Sequence, residues 1–578
     1  LTPDRTRYLP LPVDSGNFAD KFKWALLAAV TREQGLDEAL DGVAIHSDNW
    51  QALNTLKVKY RERVKCIYID PPYNTGGDGF PYKDSYQSAS WLAMMQDRLG
   101  LAAQTLQTNG VLFSSIDQNE YPKLRTLLEG EFGRGNALGT IVWKNVTDNN
   151  PTNIAIEHEY IECFAKNRAL LESEWKNPYS DAKDLLVNLA RELIEKHGDT
   201  PALRKAYQEW LRDNKAFLGP LEGYKFIDGG GIYAGSRSVH NPGKEGYRYD
   251  IPHDKTGKPC KQPLMGYRFP EDTSKKLIAE GRIIFGEDEN KIIELKVYAH
   301  EYEAKLPSVI EIDGRSGAND LANLFGESQR FKNPKASALL QEIIPYATGK
   351  GDMVMDFFAG SGTTEHAVMR INKKAALGLR WICVEASHNF EALILPRLKK
   401  AGLSVDWLKG RPTSNDGPGL FMRVQALEQY EDTLENLDIA SPSDSLELPF
   451  DDPAWRLRYR LEQASRALYC GIDRFSSPFG YTLKRAAGGG DAPERPIDLV
   501  ESLIYLLGLD VSRLLRETHG VVVTGRDRRQ QTVAVFFRDC AATDSAAWLK
   551  DKLAEYPADR MLTNDPASLT FEGCDRFE

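Results

Sequence analysis

The stretch Cys66-Ile67-Tyr68-Ile69-Asp70-Pro71-Pro72-Tyr73 decides the fold. Four strand-prone residues run straight into an acid and two prolines, which reads as a buried strand stopped by a turn. The same grammar recurs outward in both directions. Val43–Ile45 ends at Ser47-Asp48-Asn49, and Gly110–Ser115 ends at Ile116-Asp117. Between them Ser88–Leu106 carries Trp91, Met94, Met95, Leu99 and Ala102 at helical spacing. Ile141–Trp143 and His158–Phe164 are strand-like. The pattern resumes at Met353–Phe357 and Trp381–Val384, followed by a helix around Phe390–Lys400. Strands alternating with helices predict a parallel sheet with crossover helices. In such sheets ligands sit at the carboxyl ends of the strands, where these polar endings gather.

A length of 578 residues predicts three or four domains. Ordinary fractions of charged (27%) and hydrophobic (42%) residues exclude disorder, a collagen-like repeat or a disulfide scaffold as the main architecture. The net charge of −10 supplies no global basic field, so any nucleic-acid binding needs a local patch. Seven scattered cysteines without a C-x-x-C pair argue against disulfides and zinc fingers, and for a reducing cytoplasm. No apolar run reaches ~18 residues and no signal-like N-terminus is seen, so neither membrane spanning nor secretion is expected. The chain starts at Leu1 rather than Met, and a few native residues are expected to be missing.

The expected organisation is a helical lead-in over 1–40, an α/β half over 41–167, an insert over 168–330, a second α/β half over 331–412 and a C-terminal α+β region over 413–578. The insert opens with a helical pair, marked by Thr200-Pro201 as cap and first turn, followed by a Gly-, Tyr- and Lys-rich stretch from Gly229 to Arg268. Thr413–Gly419, Ser441–Pro453 and Gly488–Pro496 read as linkers. Beyond them come a helix at Leu499–Leu507, strands at Val521–Val523 and Thr532–Phe537, and a helix near Trp548. After Gly419 the positions of Phe421, Val424, Leu427, Tyr430 and Leu434 predict a helix, packed either within the chain or against a second copy.

Two motifs carry chemistry. At Asp70-Pro71-Pro72-Tyr73, a carboxylate and a rigidly held carbonyl can accept both N–H groups of a nucleobase amine, turning its lone pair toward an incoming methyl. Asp70 and the Pro71 carbonyl are the expected acceptors and Tyr73 the stacking platform; an ordinary strand-to-turn junction is the alternative. At Asp356-Phe357-Phe358-Ala359-Gly360-Ser361-Gly362-Thr363-Thr364, two glycines let backbone approach a ligand before a helix N-terminus. No G-K-[ST] follows, which disfavours a nucleotide P-loop. Glu385, at the end of the next strand, stands where an acid can take ribose hydroxyls. The loop alone is equally a packing loop. The dispersed His46, His158, His240, His253 and His300 predict no metal cluster.

Together these motifs resemble the β-class amino-methyltransferases of DNA, and within them the modification subunits of type III restriction–modification systems. Asp70-Pro71-Pro72-Tyr73-Asn74-Thr75-Gly76 matches the catalytic motif, and Trp91-Leu92-x-Met94-Met95-x-x-Arg98-Leu99 matches the helix after it. Ser115-Ile116-Asp117 and His158-Glu159-Tyr160 match the next blocks, and Asn333-Pro334-Lys335 resembles the segment before the cofactor strand. Ser47-Asp48-Asn49 resembles the family's G-D-N element with Ser for Gly; Leu503–Leu509 is similar to part of the family's C-terminal domain.

The resemblance implies a permuted Rossmann-like α/β methyltransferase sheet with an inserted target-recognition domain. It implies S-adenosylmethionine as cofactor, with Asp48, Asp356, Phe358, Gly360, Gly362, Thr363 and Glu385 around it and Asp48 against the adenine. Asp70, Pro71, Pro72 and Tyr73 would form the catalytic motif, acting on the N6 amine of an adenine flipped out of duplex DNA without a metal. N4 of cytosine, RNA or a protein glutamine are alternative targets, and a DNA-recognition subunit serving a partner nuclease is an alternative of another class. A homodimer and a restriction or other defence subunit are the expected partners besides double-stranded DNA. Sequence reading is expected in the insert, with phosphates held by Arg237, Lys244, Arg248, Lys258 and Lys261 and the interleaved Tyr233, Tyr247, Tyr249 and Tyr267 packing on sugars or bases. The alternative is a solvated loop whose aromatics fill its own core.

Overall fold

The computed structural model describes residues 12–76, 84–146, 153–177, 181–214, 218, 221–237, 239–241, 243–327, 330–436, 475–485, 493–542, 544–565 and 573–576. They form two compact units, Ser173–Leu306 and the remainder.

The larger unit is built on a nine-stranded sheet. In chain order its strands are β1 Gly42–His46, β2 Val64–Ile69, β3 Leu106–Ile116, β4 Ala137–Lys144, β5 His158–Ala165, β6 Val309–Glu311, β7 Met353–Asp356, β8 Arg380–Glu385 and β9 Met422–Ala426. Their spatial order is β6-β4-β5-β3-β2-β7-β8-β1-β9. Only β5 runs antiparallel to its neighbours. The central strands are buried along nearly their whole length, with only Lys65 of β2 half-exposed, as expected where helices cover both faces of a parallel sheet. Helices α2 (Asn49–Lys59), α3 (Ser88–Thr105) and α4 (Thr363–Ala375) are among those covers, after the N-terminal α1 (Asp20–Glu33). Ile67, Ile69, Leu112, Met355, Ile382 and Val384 meet Leu53, Leu56, Trp91, Met95 and Leu99 in one core.

The permutation places the site. β2 and β7 are distant in sequence but adjacent and parallel, with Cys66 opposite Val354 and Ile67 opposite Met355. β7 pairs with β8, and β8 with β1, where Glu385 lies opposite His46. Four neighbouring strands therefore end at the same edge in Asp70, Asp356, Glu385 and Ser47-Asp48.

Four expectations are corrected. Residues 307–330 belong with the larger unit, because Val309–Glu311 adds a parallel strand beside β4. Residues 422–426 are strand, not helix, because they complete the sheet edge beside β1; only Tyr430–Asn436 is helical. The three-residue spacing of Phe421, Val424 and Leu427 is helical, but pairing with β1 overrides it and leaves Val424 exposed between the partly buried Phe421 and Leu427. The lead-in is no separate segment: Trp24, Leu27 and Leu36 pack with Val500, Leu503 and Ile504 on the C-terminal sheet. That sheet has five strands, with Trp548 and Leu549 covering its other face. The expected linker at Ser441–Pro453 lies outside the described residues, whereas Glu494–Pro496 pairs with Thr482–Lys484.

The smaller unit joins helices Asp181–His197 and Pro201–Asn214 to a four-stranded antiparallel sheet. Within it Tyr267 is wholly buried, stacked on Tyr249 at 4.7 Å. Tyr233 stacks on Phe226 at 5.6 Å and lies 5.0 Å below the Lys296 ammonium. Of the four tyrosines expected to pack on sugars or bases, these three serve the unit's own packing, and Tyr247 is exposed. Lys244, Arg248, Lys258 and Lys261 are exposed. Arg248 donates to the Leu264 carbonyl at 2.8 Å, and Lys258 pairs with Glu289 at 3.1 Å. Arg237 ends the strand Gly231–Arg237, and its side chain lies outside the described residues.

Candidate active site

Two cavities open at the carboxyl edge of the sheet. The first, about 230 Å³, lies over the ends of β1, β7 and β8 and is lined by Asp48, Asp356, Phe358, Gly360, Thr363 and Glu385, among others. The second, about 540 Å³, is lined by Pro71, Tyr73, Trp143 and Glu159 among others. Asp70, Asn333 and Lys335 line both.

The glycine loop is held by its own acid. Asp356 accepts the Phe358 N–H at 2.9 Å and the Thr364 hydroxyl at 2.6 Å, which folds the loop back over the end of β7. Burial, opposed by those two bonds, pushes its carboxyl up to about 7. Gly360 sits at φ +55°, in the left-handed region where a side chain is strained. Its N–H donates to Glu385 Oε2 at 2.8 Å, while Ser387 N–H donates to Oε1 at 2.8 Å. Each carboxylate oxygen thus keeps a lone pair for a ligand hydroxyl.

The remaining expected residues divide. Phe358 lines the first cavity. Gly362, at φ +75°, caps α4 and packs near Ile394, and is not among the lining residues. The Thr363 hydroxyl turns away to Ser361 and to buried Arg397, each at 2.9 Å. Asp48 caps α2 through the Trp50 N–H at 2.8 Å and pairs with Arg98 at 3.2 Å. Arg98, which also lines this cavity, and Asn49, which donates to the Phe357 carbonyl at 2.9 Å, stand inside the quoted family segments but have no site role in the sequence reading.

At the second motif, Trp91 donates its indole N–H to the Pro72 carbonyl at 2.8 Å and locks the turn. Asn74, at φ +62°, takes the Asp84 carboxylate on its N–H at 2.8 Å, and its side chain donates to Glu120 at 2.7 Å. Tyr73 is oriented by a hydrogen bond to Glu159 at 2.7 Å. Desolvation pushes the Asp70 carboxyl above its ordinary value despite Lys335, whose Nζ lies 3.2 Å away. Lys335 and Glu159 stand inside quoted family segments, but nothing in their local spacing signals that they meet here.

Residues 64–395 match the family model described as DNA methylase. Over 372 residues the chain is 48% identical to the Mod subunit of the type III restriction-modification enzyme EcoP15I of Escherichia coli, covering 59% of this chain and 58% of that one. It is 28% identical over 444 residues to the StyLTI Mod subunit of Salmonella typhimurium, covering 68% and 62%. The EcoPI Mod subunit of Escherichia phage P1 is 26% identical over 394 residues, covering 59% and 57%. The chain thus spans about three fifths of the length of these relatives. Among the described residues no helix is long and apolar enough to cross a membrane. With the family model covering more than half of the chain, and its matched segment containing both motifs and the strands that carry them, the chain belongs to the DNA methylase family.

Proposed function

We propose that the protein transfers a methyl group from S-adenosylmethionine to the N6 amine of an adenine in duplex DNA, as the modification subunit of a type III-like restriction–modification system. The observation that carries this reading is the meeting of the two cavities at Asp70. One side offers a glycine loop and a ribose-competent acid; the other offers an aromatic ring and a carboxylate for an amine. The cofactor site fits on its own terms. A Cβ at Gly360 would meet the Phe331 ring at 3.6 Å, inside the first cavity, so glycine leaves that space to a ligand.

The cofactor supplies a sulfonium methyl. Glu385 would hold its ribose hydroxyls, and Phe358 and Gly360 would shape the wall along the chain. Asp70 accepts an amine N–H and keeps the nitrogen lone pair aimed between the cavities, while Tyr73 stacks on the extruded base. Such a displacement needs alignment above all, which a rigid strand end provides. Base extrusion costs a few kcal/mol, recovered in part by stacking. The insert would read sequence, a second copy of the chain would share the DNA, and a restriction subunit would act as partner.

The test is methylation of unmethylated bacterial DNA with labelled S-adenosylmethionine, followed by nucleoside analysis. N6-methyladenine is expected. N4-methylcytosine alone, or no transfer to DNA, overturns the reading.

A further inference from the structure

Lys335 stands at the junction of the two cavities, and no reaction step above uses it. It lies two residues after Asn333, at φ +51°, and two residues before the buried helix Ser337–Ala347. Only 10% of its side chain is exposed. Its Nζ lies 3.2 Å from Asp70 Oδ1 and 2.5 Å from Glu159 Oε2, and donates also to the Tyr73 hydroxyl. The Tyr73 and Trp143 rings lie 4.7 and 5.2 Å from it. The ammonium therefore donates to Glu159 and Tyr73 and holds Asp70 Oδ1 by charge, without a hydrogen bond to that oxygen.

An ammonium and a base amine both draw on the Asp70 carboxylate at the seam of the two cavities. The ammonium holds it by charge and leaves Oδ1 without a hydrogen bond, which an amine N–H can supply. Lys335 alone could be a permanent plug, but Glu159 offers it a second carboxylate at shorter range. Drawing back from Asp70 toward Glu159, to which it already donates, keeps the ammonium compensated. We propose that Lys335 is a positioning residue that stands over the amine's seat on Asp70 as a charge-matched placeholder and clears it for the target base by drawing back onto Glu159. This rests on the methyl-transfer reading given above. The trio carries two negative charges and one positive, and the excess faces a nitrogen that becomes cationic as it takes the methyl. When the amine donates to Asp70, it meets a carboxyl group already stripped of water.

Electrostatics agree with the geometry. Burial alone would lower the Lys335 ammonium, but Asp70 and Glu159 outweigh it and hold it above the ordinary lysine value. Desolvation and the Glu159 charge push the Asp70 carboxyl up, and Lys335 pulls it down. Other groups facing Asp70 are Tyr68 and Tyr73 from its own segment, with Asp356 and Glu385 at the ends of β7 and β8. Asp117, His158 and Arg315 line the second cavity with it.

The test is the single-turnover rate of methyl transfer to unmethylated bacterial DNA, with labelled S-adenosylmethionine, over a pH series from ~5 to ~9. In Lys335→Met the acid limb should move up by ~1 unit or more, so that activity lost at neutral pH partly returns in alkali. In Glu159→Gln, which removes a like charge without changing shape, the limb should move down. Wild-type limbs in both variants overturn the placeholder role. If Lys335→Met does not fold, the isosteric Glu159→Gln decides: a downward shift supports the role and an unmoved limb overturns it. A wild-type enzyme that methylates no DNA at any pH overturns the functional reading itself, which separates the two failures.

Discussion

The backbone N–H of Gly360 donates to the side chain of Glu385 at 2.8 Å, tying the glycine loop after β7 to the end of β8. Glu385 thus serves loop and ligand together. Glu385→Ala should lose both a charge-assisted loop bond and the hydroxyl acceptors, each worth about 1.5–3 kcal/mol. Affinity for S-adenosylmethionine should fall by at least about 10-fold in calorimetry. Gly360→Val, which forces a branched side chain to φ +55°, should weaken binding at least as much. Wild-type affinity in either variant would contradict the cofactor assignment.

Asp70→Ala removes the amine acceptor but leaves the glycine loop and Glu385 intact. Methyl transfer should drop by about 10²–10³-fold while cofactor affinity changes little. Isotope incorporation and calorimetry on one preparation check this. Unchanged transfer would remove Asp70 from the reaction, and lost cofactor affinity would make it a wall of the first cavity.

Asp356 gives a pH prediction with a definite sign. Its folded carboxyl is pushed up to about 7 by burial, above the ordinary 3.8, so the folded chain holds this proton more tightly than the unfolded one. Its contribution to stability is therefore present at low pH and lost as pH rises from ~4 through ~7. Asp356→Asn keeps an acceptor for the Phe358 N–H and carries no charge. The variant should gain stability relative to wild type as pH rises through that window. Urea midpoints along a pH series measure it, and a constant difference would contradict it.

The smaller unit's exposed cations predict a salt signature. If they hold phosphates, alanine at Lys244, Arg248, Lys258 or Lys261 should weaken cognate and random DNA alike, with the salt slope reduced by about 0.9 per lost contact. An arginine reading a base should instead relax specificity at one base pair by about 1–3 kcal/mol. Arg237 belongs in the same series. Unchanged affinity and slope for all five would place DNA elsewhere.

β9 closes one end of the sheet, and Val424, Tyr430 and Leu434 are exposed there at 47, 67 and 45%. Among the described residues no strand pairs with the outer side of β9, and such an edge beside apolar side chains suits a second copy of the chain. Light scattering should give a dimer that Val424→Lys with Tyr430→Glu dissociates. A wild-type monomer, free and on DNA, rules this out.

The strand ends were legible because each apolar run stops abruptly at an acid, and runs of that length do not need long-range information. The direction a polar side chain takes at such an end was not legible. Asp356 turns back onto Phe358 and Thr364, and Thr363 turns behind the loop to Arg397. Either residue type could as well face a ligand. Lys335 and Glu159 are separated by 176 residues, so only the assembled sheet brings them together. The strand at Met422–Ala426 was missed because its apolar residues follow a helical three-residue spacing, and the pairing with β1 that overrides it leaves no local mark.

The pairing of Cys66 with Val354 has a consequence during synthesis. β2 emerges from the ribosome long before β7 exists, and at ~5–20 residues per second the wait is about 15–60 s. Throughout it, one side of an apolar strand that will become central is an open edge able to recruit any passing strand. β2 carries a charge only at the half-buried Lys65, and the burial of its other positions leaves no room for a second. The nascent chain must therefore be shielded by chaperones or by its own helices until the second half arrives. Interrupted translation within residues 70–350 leaves a sticky fragment, while the completed chain seals the edge for good.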